Sequence, residues 1–161
     1  MRTEFGFERT VSTTKMDIEC CKRMPGFLVP ADLERLAEAF GLNPIEFAKR
    51  HLLASPGALV IFNGKMRRVP TLVPDRDPRT GHCKFFRNDL CTIHAVAPYG
   101  CSFFDYDMDD DEGRERSLAG TEAVMKAWDD DDGYAALWYI LNMVGRHAPG
   151  PEECRKHLSH V

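Results

Sequence analysis

Five cysteines stand where their chemistry is hard to ignore: the vicinal pair Cys20-Cys21, then Cys83, Cys91 and Cys101 within one short stretch. A thiolate is a soft ligand that selects zinc, iron or an iron-sulfur centre, and four of them arranged tetrahedrally at about 2.3 Å close a structural zinc site. Cys83, Cys91 and Cys101 are linked by a short hairpin and a loop, so bringing them together costs little closure entropy. The remaining ligand must come from the remote pair. Adjacent side chains in an extended chain point apart, so either one of Cys20 and Cys21 ligates or the backbone turns sharply and both reach a larger cluster. The bland alternative is that these cysteines are small buried hydrophobes, the usual reading for any one of them alone.

His94 and His82 flank the cluster as possible secondary ligands or as hydrogen-bonded neighbours. The tail carries Cys154, His157 and His160 at three-residue spacing, with His147 upstream. If helical, this spacing would clip a second metal, but an end-of-chain segment reads first as solvated.

Reading the thiols as metal ligands depends on compartment. The N-terminal residues are polar and charged, with no apolar core of an export signal, and no stretch approaches the roughly 18 apolar residues of a membrane span. The expectation is a cytoplasmic protein whose thiols stay reduced. With 161 residues, 43% hydrophobic, the chain can bury a core without covalent staples. A net charge of -4 argues against a nucleic-acid partner, which asks for a basic face. The one tight basic group, Lys65, Arg67 and Arg68, reads as solvent-facing charge on a hairpin strand.

The elements that must hold the cysteines are legible in part. Pro30 opens a helix over Ala31 to Phe40, with Leu33, Leu36, Ala37 and Phe40 at helical spacing and Gly41 as its stop. Asn43 caps a second helix with Pro44 in its first turn, burying Ile45, Phe47, Ala48 and Leu52. Ser55-Pro56-Gly57 breaks this pattern. Ala58 to Phe62 reads as a strand, Asn63-Gly64 as a hairpin turn, and Arg67 to Val73 as the returning strand. Two shorter strands are expected near Cys83–Phe86 and Cys91–His94, joined at Asn88-Asp89.

Beyond Cys101 the composition turns acidic. Asp105, Asp107 and Asp109 alternate like an EF-hand loop, but Asp110 stands where glycine is needed and Arg116 where the bidentate glutamate belongs. The run from Asp105 to Glu112 therefore reads as a solvated loop and a dipole-favoured helix start. Helices are expected over Ser117 to Trp128 and Tyr134 to Arg146. No nucleophile elbow, phosphate-binding loop, His-Glu-x-x-His or internal repeat occurs, so no catalytic residue is assigned.

The order of these pieces resembles the YkgJ-like cysteine-cluster family, described as zinc- or iron-chelating. The match runs from Cys20-Cys21 through the helix pair to Cys83-x-Phe85, Cys91-x-Ile93-His94 and Pro98-x-x-Cys101-x-x-Phe104. It covers about residues 20–104. The family's leading Cys-x-x-Cys is missing, as are the arginines it tends to carry where Ala97 and Ser102 stand, so this chain resembles a degenerate member. The resemblance implies chelation of one zinc or iron and leaves the cellular role undefined.

The sequence thus predicts a single α+β domain over 1–161, with short antiparallel strands and loops around a cysteine metal site and a helical C-terminal part over about 114–147. The expected partner is a metal ion held by Cys20, Cys21, Cys83, Cys91 and Cys101, most simply one structural zinc on Cys21, Cys83, Cys91 and Cys101 with Cys20 as fifth candidate. An iron or iron-sulfur redox protein is the alternative. Another is an acidic interaction module whose metal site is partial or empty. No membrane association is expected.

Overall fold

The computed structural model describes residues 3–10, 15–105, 108–130 and 133–158. The chain forms a mixed α+β domain from seven α-helices and four two-stranded antiparallel sheets among the described residues. A short hairpin, β1 (Thr3–Glu4) and β2 (Phe7–Glu8), precedes α1 (Lys15–Arg23), whose last turns carry the vicinal cysteines.

α2 (Pro30–Ala39) and α3 (Pro44–His51) form the expected helical pair. Asn43 caps α3 by accepting from the Glu46 amide at 2.9 Å, which satisfies one of the orphan donors of the first turn. Leu52 departs from expectation: it leaves the helix and starts β3 (Leu52–Ser55), which pairs with β6 (Thr71–Pro74). Both strands are buried along their whole length. A strand buried on both faces lacks the alternation that marks a half-buried one, and Leu52 continues the apolar spacing of the preceding helix.

β4 (Leu59–Phe62) and β5 (Lys65–Arg68) form the anticipated hairpin. Asn63 and Gly64 both take positive φ, 51° and 75°, as a tight turn between right-twisted strands demands. The returning strand stops at Arg68 rather than Val73, because Pro70 supplies no amide to a ladder, and the chain re-enters a different sheet at Thr71.

The core lies between α2 and α3, the β3–β6 pair, and two long helices, α5 (Asp110–Asp129) and α6 (Gly133–Met143). Side-chain donors and acceptors tie these layers. Tyr134 Oη accepts from the Leu72 amide at 2.8 Å and donates to the Leu28 carbonyl at 2.6 Å, while Trp128 and Trp138 donate to the carbonyls of Pro70 and Ser55. The acidic run begins a helix, as read, but seven residues earlier than expected. Asp109 accepts from the amides of Asp111 and Glu112, and Asp110, Asp111 and Glu112 occupy the dipole-favoured first turn.

The tail corrects another expectation. Residues 151–158 form α7 (Pro151–Leu158), and Cys154 is only 5% exposed, so this cysteine is packed rather than solvated. The side chain of His157 and all of His160 lie outside the described residues. No described helix is long and apolar enough to cross a membrane.

Candidate metal centre

Three separate pieces of backbone deliver the cysteines. Cys20 and Cys21 end α1, and the Lys22 carbonyl accepts from the Cys83 amide at 2.7 Å, fastening that end to the middle of the chain. Cys83 also forms an isolated antiparallel bridge with Arg76. A tight hairpin of β7 (Phe86–Arg87) and β8 (Leu90–Cys91) then brings Cys91 back opposite Phe86. Its turn residues Asn88 and Asp89 both have positive φ, which Asn and Asp tolerate better than most side chains. These strands sit closer to the turn than the two expected and overlap them only at Phe86 and Cys91, leaving Cys83 just before the hairpin and His94 in a 3₁₀ turn, His94–Val96.

Cys101 belongs to α4 (Tyr99–Ser102), and two devices press this short helix against the segment after α1. The first is a backbone contact between glycines. A Cβ on Gly26 would lie 2.0 Å from the Gly100 carbonyl carbon, and one on Gly100 would lie 2.4 Å from the Phe27 nitrogen. Any side chain there would force the strands of chain apart. The second is Asp32, fully buried in the first turn of α2. Its Oδ2 accepts from the amides of Val29 and Tyr99 at 2.9 and 2.8 Å, and Oδ1 meets Arg35 at 2.6 Å. One carboxylate therefore fixes the start of α2 and the start of α4 together.

The electrostatics show the resulting gathering of sulfurs. Burial pushes the Cys101 thiol well up, and the charges of Cys83, Cys21 and Cys91 add to it, against an opposing Gly26 amide. Burial lifts Cys83 to about 11, with Cys91 adding, while the amides of Phe85 and Phe86 and the Arg76 guanidinium pull the other way. Cys91 is also raised by burial and eased by the Ile93 amide and Arg9. Cys21, Cys83 and Cys91 thus all act on Cys101.

Backbone amides point at these sulfurs. Gly26 donates to Cys101 Sγ at 3.1 Å, and the amides two residues beyond Cys83 and Cys91 favour their thiolates. Without a cation, neutral thiols are the stable form of so buried a group, because four neighbouring anions repel and are poorly solvated. A bound divalent ion inverts that preference and deprotonates coordinating thiols outright. Thiolates as a donor type suit a soft metal. Among the described residues no group of three or more His, Cys, Asp or Glu side chains is arranged so that it could hold a metal ion.

The two flanking histidines stand apart from one another. His82 lines a cavity with Arg23, Arg76 and Cys154. His94 is exposed, its carbonyl accepting from Arg9. Sequence reasoning missed Asp32, Gly26, Gly100 and Arg76. Asp32 had a local signal, an acidic residue at the third helical position reaching back to the cap. The glycines had none, since close approach between residues 26 and 100 is nonlocal.

No protein-family model, curated protein or solved structure matches this chain.

Proposed function

We propose that this chain is a metal-binding protein that holds one structural zinc ion through Cys21, Cys83, Cys91 and Cys101. The observation that supports the reading is that Cys21, Cys83 and Cys91, from separate segments, all act on the buried Cys101, with backbone amides serving the sulfurs of Cys83, Cys91 and Cys101. When bound, the ion would supply cross-linking of these segments, since binding free energy at such a site is folding free energy. Cys20 is the fifth candidate. The chain fits the YkgJ-like pattern in the order of its cluster residues, and a cytoplasmic setting agrees with free thiols throughout the described residues.

A second reading, iron or an iron-sulfur centre with a redox role, is favoured by the surplus thiol of the vicinal pair. Alkylation separates the two. A closed four-thiolate site shields its sulfurs, whereas a redox pair must be accessible with a lowered pKa. Mild alkylation of the folded protein as purified should label at most one of Cys20 and Cys21, and chelation should expose Cys83, Cys91 and Cys101. Fast labelling of both Cys20 and Cys21 while metal stays bound, or their isolation as a reversible vicinal disulfide, favours the redox reading.

A further inference from the structure

Beside the cysteine cluster, between the end of α1, the 76–83 loop and the start of α7, lies a cavity of about 210 Å³. Its wall is rich in cationic and hydrogen-bond-donating side chains: Arg23, Arg76, His82 and Thr80. Arg76 is the centre of it. One terminal nitrogen donates to the Gly81 carbonyl at 3.2 Å and the other to Cys154 Sγ at 3.3 Å. Its Nε is buried with no hydrogen-bond partner. Among the described residues the Arg76 side chain has no carboxylate within ion-pairing distance, whereas Arg35, Arg116 and Arg146 each have one.

A guanidinium left without its counter-ion in a partly enclosed site is costly, and an uncompensated buried donor adds to that cost. Arg23 also lines the cavity, its Nε paired with Glu19 at 3.0 Å. Two guanidinium groups, a hydroxyl and an imidazole on one wall match an oxyanion, which accepts several charge-assisted bonds at once. Glu153, also on the wall, is the one carboxylate that opposes such a ligand, and it is exposed.

We propose that this cavity binds a small oxyanion, a phosphate or carboxylate group, with Arg76 and Arg23 as its principal contacts. The inference is independent of whether the neighbouring thiols hold metal. Its test is titration of inorganic phosphate, and in parallel acetate, into the full chain at constant ionic strength, read by amide NMR shifts. Saturable shifts confined to residues around Arg23, 76–83 and 149–154 are expected with at least one of them, and saturation by only one identifies which oxyanion the site prefers. Chloride at equal ionic strength should give none. Arg76→Met should weaken binding by about tenfold or more, the loss of one charge-assisted contact, and Glu153→Gln should tighten it. Should Arg76→Met fail to fold, Arg23→Gln serves in its place. The proposal is overturned if neither anion saturates, if chloride produces the same shifts, or if affinity is unchanged in both Arg23→Gln and Glu153→Gln.

Discussion

Cys83 and Cys101 differ from an ordinary buried cysteine in two respects: each is acted on by another cysteine and each receives a backbone amide. Replacing either by Ser should lower metal content and destabilise the protein by several kcal/mol, because the lost coordination bond is also a lost cross-link. The readouts are metal per chain and the urea midpoint. Serine at an empty, merely packed site would shift the midpoint far less and change no metal content. Gly26 acts one step away from the sulfurs. Gly26→Ala puts a methyl 2.0 Å from the Gly100 carbonyl carbon, and the displaced backbone should cost roughly 1–3 kcal/mol as overpacking while weakening metal retention. Asp32→Ala strands the buried amides of Val29 and Tyr99. The expected loss is about 2–3 kcal/mol in chemical denaturation. Gly26 and the tie from Asp32 to Tyr99 were hidden from sequence reasoning because their partners lie about 70 positions away, whereas the cysteines announce themselves by type alone.

At the scale of elements, the two longer hairpin-like pairs should behave differently. β3 and β6 are buried throughout and anchored by Tyr134, while β5 is exposed along its length and β4 alternates between exposed and half-buried. Amide exchange should therefore be slowest in Leu53, Leu72 and Val73 and faster by orders of magnitude in the 59–68 hairpin, since local opening is easiest where few apolar contacts are lost. Tyr134→Phe removes a hydroxyl that serves a buried amide and a buried carbonyl at once, and should cost about 1–3 kcal/mol and accelerate exchange at Leu72. The same elements mark what the sequence could and could not disclose. The α2–α3 pair and the Asn63-Gly64 turn rest on local chemistry, a proline, a cap, a positive φ, and were readable. β3 was not, because Leu52 prolongs the helical spacing of Phe47 and Ala48 and its pairing partner is twenty residues on. The strands around Cys83 and Cys91 were expected too long because two-residue strands leave no period to detect.

For the whole molecule, a metal held by the cysteine cluster would join segments separated by about 80 residues, so its binding free energy would add to folding stability. Chelator should then lower thermal stability and expose the thiols. A protein of this size has a hydrophobic core large enough to fold by itself, which here spans α2, α3, α5, α6 and the β3–β6 pair, so partial retention of helix after chelation is expected, with the 83–101 region loosened most. The most direct test of the account is elemental analysis of the full chain purified without added metal. The account predicts close to one zinc per chain, colourless, and lost when Cys83 or Cys101 is replaced by Ser. A coloured preparation containing iron and acid-labile sulfide would contradict the zinc assignment, and absence of any metal after anaerobic purification would contradict the metal centre itself.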